Sequence, residues 1–144
     1  MSTLIVDASV AAKWFLPSAQ ETHVETAVRL LRRYAAGEIR FAVPGLFWAE
    51  LGNIFWKAVR QGRWTRSDAE NALLLAQGRE FATVTSKELL EDALSIGLTF
   101  DRSVYDSLYV ALAIISKGTL VTADERLANA LGAHLPVKWL GTFN

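Results

Sequence analysis

Short apolar segments alternate with helical segments along the whole of this 144-residue chain. Apolar runs bounded by turn residues predict strands over 4–6, 40–43, 119–122 and 137–140, with a weaker strand tendency over 81–85. Because parallel neighbours in a sheet need a long crossover between them, this alternation predicts an α/β domain. Its sheet should be mainly parallel, with helices on both faces.

Capping and helix-breaking residues set the helix boundaries that the sequence predicts. Ser9 is expected to cap a helix over 10–16, and Gly97 to end a helix over 86–95. The other predicted helices span 21–36, 46–61, 65–79, 103–116 and 124–131. No linker, repeat or low-complexity segment interrupts the pattern, so we expect a single domain over 1–144.

Composition excludes several classes of protein. Hydrophobic residues make up 51% of the chain and the formal net charge is +0, unlike a disordered chain or a protein that holds nucleic acid by a bulk positive field. Cysteine is absent, which excludes thiol chemistry and Cys-bound metals. Glycine-rich phosphate loops, H-E-x-x-H and G-x-S-x-G are also absent. Without a signal peptide or a long apolar segment, we expect a cytoplasmic protein with no membrane partner.

Two acidic residues stand where predicted strands end. Asp7 follows the apolar run at 4–6, and Asp124 follows the strand predicted over 119–122. Ligands of open α/β sheets bind beyond the carboxyl ends of the strands, so both positions suit a functional acid. The alternative is structural, because Asp7 can occupy a turn and Asp124 can cap the next helix.

Two further acids stand in helices that are otherwise apolar. Asn53 is the polar neighbour of Glu50 on its helix face, and Asp106 is the only charged residue of segment 104–115. A buried carboxylate is costly unless it is paired or bound to a metal. The alternatives are that Glu50 reaches water at the helix edge and that Asp106 interacts with the helix dipole.

Taken together, the four acids favour a site for a divalent cation. Hard cations such as Mg²⁺ and Mn²⁺ take oxygen ligands, and a cluster of carboxylates repels itself unless a cation neutralises it. Such a metal can activate water and stabilise in-line attack on a phosphodiester.

Four segments of the chain also resemble the PIN-domain nucleases, in particular the VapC-like toxins of type II toxin–antitoxin pairs. They are Leu-Ile-Val-Asp7-Ala-Ser9, Ala-Glu50-Leu-Gly-Asn53, Tyr105-Asp106-Ser-Leu-Tyr-Val-Ala-Leu-Ala and Leu-Val-Thr122-Ala-Asp124-Glu-Arg-Leu. The resemblance covers essentially the whole chain. It implies a three-layer α/β/α fold with a parallel sheet in strand order 3-2-1-4-5.

The resemblance also implies a function. It implies Mg²⁺- or Mn²⁺-dependent RNA cleavage, with an acidic quartet that is both catalytic and metal-binding: Asp7, Glu50, Asp106 and Asp124. Ser9, Asn53 and Thr122 match the supporting polar positions. The implied partners are RNA, a cognate antitoxin protein and a second copy of the chain. Two alternatives are a catalytically silent module that binds a protein and a housekeeping nuclease of RNA processing.

A basic stretch and a group of aromatic residues have two explanations each. Lys57, Arg60 and Arg63 either contact RNA beside the acids or form a solvated helix end. Large aromatics on and near the helix over 46–61 either belong to the core or line a groove for a partner. The candidates for that groove are Trp14, Trp48, Phe55 and Trp56.

Overall fold

The computed structural model describes residues 1–143 and contains a five-stranded parallel sheet in the order β3-β2-β1-β4-β5. The strands are β1 (Ser2–Val6), β2 (Ile39–Pro44), β3 (Ala82–Val84), β4 (Thr119–Thr122) and β5 (Val137–Trp139). Every neighbouring pair is parallel, with Leu4 beside Phe41 on one side and beside Thr119 on the other. The predicted strand order is therefore confirmed.

Seven helices connect the strands. They are α1 (Ala8–Ala11), α2 (Val24–Ala35), α3 (Leu46–Arg60), α4 (Arg66–Gln77), α5 (Ser86–Phe100), α6 (Val104–Ile115) and α7 (Glu125–Leu131). Right-handed crossovers place α1–α4 on one face of the sheet and α5–α7 on the other, because the strand order reverses its direction after β3. None of the helices within residues 1–143 is both long and apolar enough to cross a membrane.

The core lies on both faces of the central strands. Ile5 and Val6 of β1 are fully buried, as a parallel strand covered on both faces must be. Phe47 and Leu51 of α3 and Leu112 of α6 are among the largest side chains buried against the sheet. Every residue of α6 from Ser107 to Ala113 is buried, as the apolar sequence of this segment predicts.

Three helix boundaries differ from the predicted ones by more than two residues. The predicted helix over 10–16 begins instead at Ala8, because Asp7 rather than Ser9 is its N-cap, and it consists of the short α1 followed by a 3-10 turn at Ala12–Trp14. Helix α2 begins at Val24 rather than residue 21, since His23 adopts a left-handed conformation with φ of 54°.

Gly97 does not end α5, which continues to Phe100. A Cβ atom at this position would lie 2.7 Å from the backbone oxygen of Arg102 and 3.3 Å from the hydroxyl of Ser107. The glycine therefore allows the chain to turn back closely from α5 into α6.

Candidate active site

The carboxyl ends of β1 and β4 lie side by side, at the point where the strand order changes direction. β1 is the central strand, with β2 and β4 on its two sides. Asp7 follows β1 directly, and Asp124 stands two residues after β4. This switch point is the usual ligand position in an open α/β sheet.

Asp7 is held by two hydrogen bonds at the start of α1. Its carboxylate accepts one from the N–H of Ser9 (3.3 Å) and one from the hydroxyl of Thr122 (2.7 Å). Burial raises the pKa of Asp7 above its ordinary value of 3.8, and the hydrogen bonds from Thr122 and Ser9 oppose that shift. The charge of Asp106 raises this pKa further.

Thr122 joins the ends of the two strands. It is fully buried, and its hydroxyl both donates to Asp7 and accepts from the N–H of Asp124 (3.0 Å). The hydroxyl of Ser9 adds a second link by accepting from the N–H of Ala123 (3.2 Å). Ser9 thus connects α1 to the end of β4 instead of capping α1, which corrects its predicted role as the cap.

Asp124 is the N-cap of α7. One of its carboxylate oxygens accepts from the N–H of Leu127 (3.2 Å). Asp124 therefore has the capping role that the sequence offered as the alternative to a functional one. The side chain is exposed, and its second carboxylate oxygen has no hydrogen bond among the described residues. Capping therefore leaves one oxygen free for another ligand.

Glu50 projects from α3 and meets α6. Its carboxylate accepts a hydrogen bond from the hydroxyl of Tyr109 (2.6 Å), a residue that is almost fully buried. Burial raises the pKa of Glu50, the Tyr109 hydrogen bond opposes the shift, and the charges of Asp7 and Asp106 add to it. Burial, together with the carboxylates of Asp7 and Glu50, also raises the pKa of Tyr109, so its hydroxyl remains a donor at neutral pH.

Sequence reasoning did not single out Tyr109 as part of the site. Its position within an apolar helix indicated a core residue, and it is one. A buried tyrosine hydroxyl nevertheless needs a polar partner. Its place one helical turn after Asp106 was the signal that this partner would be an acid of the site.

Asp106 lies half-buried in the first turn of α6. Its N–H donates to the hydroxyl of Ser103, which caps the helix (3.1 Å). Burial raises the pKa of Asp106, the charge of Asp124 raises it further, and the charge of Arg102 opposes the shift. Asp106 is thus electrostatically coupled to Asp124 as well as to Asp7 and Glu50.

The crevice between α3, α1 and α6 has a volume of about 450 Å³. Its polar lining consists of Asp7, Ser9, Glu50 and Asn53, so it brings together two of the predicted acids and two of the predicted supporting residues. Asp106 interacts with both of these acids through its charge, and Asp124 interacts in the same way with Asp106.

The oxygen donors of this crevice fit a hard divalent cation. None of the four acids forms an ion pair with Lys, Arg or His in residues 1–143, and neighbouring negative charges raise the pKa of three of them. In the same range no three His, Asp or Glu side chains form a compact metal cluster. The Asp7 and Glu50 carboxylates are instead hydrogen-bonded to Thr122 and Tyr109. Carboxylate oxygens are the kind of ligand that hard divalent cations such as Mg²⁺ and Mn²⁺ take.

The predicted basic stretch lies at the end of α3 and after it. Lys57 and Arg60 are exposed, and the Arg60 guanidinium lies over the Trp56 ring at 5.4 Å. Arg63 instead pairs with Glu21 (3.7 Å). Only Lys57 and Arg60 of the three predicted residues are therefore presented to solvent without a carboxylate partner among the described residues.

The four predicted groove aromatics separate into two pairs. Phe55 and Trp56 line an apolar groove of about 460 Å³ between α3 and α4. Trp14 and Trp48 do not line this groove. The Trp14 indole donates to the carbonyl of Ala27 (2.9 Å), and the Trp48 indole donates to the hydroxyl of Thr83 (3.1 Å).

Comparison with known proteins assigns the chain to a family. A PIN domain family model matches residues 4–131, a segment that contains all four acids. The chain is also 32% identical over 132 residues to Ribonuclease VapC3 from Pyrobaculum aerophilum, an alignment that covers 90% of this chain and 95% of that relative. The chain belongs to the PIN domain family.

Solved structures share the fold of this PIN domain. PAE2754 from Pyrobaculum aerophilum is 24% identical with a TM-score of 0.68, covering 98% of this chain and 85% of that one. A chain of a toxin–antitoxin complex from Klebsiella pneumoniae is 12% identical with a TM-score of 0.58, covering 94% of this chain and 95% of that one. At these identities the likeness establishes the fold alone.

Proposed function

We propose that this PIN domain is a divalent-metal-dependent endoribonuclease and the toxin of a toxin–antitoxin pair. The observation that carries the proposal is the electrostatic coupling of four acids at the carboxyl end of the sheet, none of which pairs with a cation among the described residues. Similarity to a ribonuclease over most of the chain supports the choice of RNA as substrate.

In this proposal Asp7 and Asp106 hold Mg²⁺ or Mn²⁺, and Glu50 and Asp124 contribute directly or through water. The bound metal would lower the pKa of a water molecule and stabilise negative charge at the phosphate. Asp124 can contribute an oxygen to the metal while it caps α7, because capping uses only one of its two oxygens.

The remaining side chains orient these acids. Thr122 and the N–H of Ser9 fix the Asp7 carboxylate, and Tyr109 fixes the Glu50 carboxylate. Such hydrogen bonds preorganise charged ligands, which lowers the cost of assembling the site around substrate. Asn53 lines the crevice without an assigned partner among the described residues, so its amide is available to an RNA phosphate or ribose.

The test is cleavage of a labelled single-stranded RNA by the purified protein and its variants. We expect Glu50→Gln and Asp106→Asn to remove cleavage while the circular dichroism spectrum remains that of the wild-type protein. Asp92→Asn, which neutralises an exposed acid of α5, is the matched control. Wild-type rates in the folded Glu50→Gln and Asp106→Asn variants would refute the site assignment, and an inactive wild-type protein would favour a silent binding module.

The groove between α3 and α4 supports an antitoxin as partner. Its lining is mostly apolar and includes the buried Phe55 and the exposed Trp56, with Arg66 and Glu70 as its charged residues. Exposed aromatics beside an apolar pocket are typical anchors for a protein partner. We expect a cognate antitoxin coexpressed with the protein to copurify with it, and Trp56→Glu to prevent this. Leu74→Glu, on the exposed side of α4, should leave the complex intact.

We further propose a homodimer formed through α5. Leu90, Leu94 and Leu98 make an exposed stripe at intervals of one helical turn, and Leu98 is 78% exposed. An antiparallel pair of α5 helices centred on Leu94 sets Leu90 against Leu98 of the second copy. The same register sets Lys87 near the opposite charge of Asp101. Sedimentation should show a dimer that Leu94→Glu dissociates, and a wild-type protein that stays monomeric at high concentration would contradict this.

A further inference from the structure

Tyr105 is an exposed aromatic residue at the acidic crevice. It is 63% exposed, whereas the residues of α6 from Ser107 to Ala113 that follow it are all buried. No hydrogen bond within residues 1–143 holds its hydroxyl. Among the exposed large hydrophobic residues, it is the one that lines the crevice together with Asp7 and Glu50. The core therefore does not account for an aromatic ring at this position.

Helix α3 supplies an apolar wall to the same crevice. Leu46, Ala49 and Ile54 line it along one side of the helix, and Glu50 projects from the same side. The crevice thus combines two chemically different parts, a carboxylate-lined part and an apolar part bounded by an aromatic ring. A volume of about 450 Å³ is within the range of sites that enclose a small organic ligand, roughly 300–1,000 Å³.

We infer that the apolar part of the crevice binds one unpaired nucleobase of the RNA, stacked on Tyr105 beside the α3 wall. This inference rests on the proposed function, since it identifies which part of the substrate enters the site. The aromatic face of any base stacks on a tyrosine ring, and the phosphate attached to that nucleotide would lie toward the acids. A base in an intact duplex is stacked and paired and cannot enter, so the substrate is an unpaired segment.

The test combines a protein change with a substrate change. Wild-type protein, Tyr105→Phe and Tyr105→Ala are assayed on one RNA whose cleavage site has been mapped. The same RNA is then prepared with an abasic nucleotide on one or the other side of the scissile bond. Leu74→Ala, which removes an exposed apolar side chain of α4 outside the crevice, is the control.

We expect Tyr105→Ala to lower kcat/KM about tenfold, the amount by which loss of one base–aromatic stack weakens binding. Tyr105→Phe and Leu74→Ala should remain within about twofold of wild type. One of the two abasic substitutions should lower the kcat/KM of the wild-type protein about tenfold and leave the kcat/KM of Tyr105→Ala almost unchanged, because the two changes remove the same contact. The inference would be overturned if the abasic substitution lowered the kcat/KM of Tyr105→Ala as much as that of the wild-type protein. It would also be overturned if Tyr105→Ala cleaved the unmodified RNA with the kcat/KM of the wild-type protein.

Binding separates this inference from the proposed function. Fluorescence anisotropy with labelled RNA in the presence of EDTA measures affinity without cleavage. Weaker binding by Tyr105→Ala, but not by Tyr105→Phe, supports the base site even if the wild-type protein fails to cleave RNA. Equal affinities for all the variants, or equal affinity for unpaired and duplex RNA, would refute the base site whatever the cleavage assay shows.

Discussion

In the absence of metal, the stability of Asp7→Asn relative to the wild-type protein should increase as the pH rises from acidic to neutral. Burial raises the pKa of Asp7 in the folded protein above its ordinary 3.8, so the folded state binds this proton more tightly than the unfolded state does. The stability that the proton contributes is complete below pH 3.8 and is lost as the pH rises through the folded-state pKa. Asparagine carries no charge at either pH and is as good an N-cap as aspartate.

The magnitude follows from linkage. Across the window between pH 3.8 and the folded-state pKa, the wild-type protein loses about 1.4 kcal/mol per pH unit that the variant does not lose. The asparagine side chain has one acceptor oxygen, so it keeps one of the two hydrogen bonds from Ser9 and Thr122. Losing the other costs about 1 kcal/mol at every pH, which offsets the stability difference without changing its dependence on pH.

The assay is thermal unfolding in EDTA at pH 4 and pH 7. For a chain of this size, about 1.4 kcal/mol corresponds to a change of about 3–6 °C in Tm. We therefore expect the Tm of Asp7→Asn, measured relative to wild type, to be higher at pH 7 than at pH 4, by up to about that amount for each pH unit by which the folded-state pKa of Asp7 exceeds 3.8. Asp92→Asn, on the exposed side of α5, should show no such change. A difference between Asp7→Asn and wild type that is equal at both pH values would refute the argument.

Three further predictions concern other parts of the molecule. Gly97→Ala should cost about 1–3 kcal/mol in urea unfolding, because the added methyl group meets backbone at 2.7 Å. Tyr109→Phe should weaken Mn²⁺ binding at least tenfold in calorimetry, because Glu50 loses the hydrogen bond that orients it; unchanged affinity would limit Tyr109 to a packing role. The double variant Lys57→Glu, Arg60→Glu should bind RNA more weakly and with a smaller salt dependence if the pair contacts phosphate. Unchanged binding would indicate that the pair belongs to a solvated helix end.

Much of the fold could be predicted because its main signals are local. The apolar runs that become β1 and β4 are short and end at acids, and the intervals between strands are long enough for helices. Helix boundaries were less predictable where a residue without the usual signal ends the helix. Gly97 looks like a helix end, yet α5 continues to its C-cap Asp101, which adopts a left-handed conformation with φ of 56°, and Gly97 instead makes room for the returning backbone of Arg102.

The candidate site was predictable at its acids and less so around them. Acids that follow strands or interrupt apolar helices are conspicuous because burial makes them costly. Their partners depend on distant parts of the chain, as when Tyr109 reaches Glu50 across 59 positions of the sequence. Trp14 and Trp48 show the same limit, since their indoles donate hydrogen bonds to Ala27 and Thr83, which lie 13 and 35 positions away in the sequence.

The central claim is that the acidic crevice cleaves RNA with a divalent metal, and metal reconstitution of cleavage tests it most directly. Purified protein is dialysed against EDTA and given a labelled single-stranded RNA before and after Mn²⁺ or Mg²⁺ is restored. We predict no cleavage in EDTA, full cleavage when the metal is restored, and none under either condition with Asp7→Asn. Cleavage at the same rate in EDTA, or by the folded Asp7→Asn variant, would contradict the account.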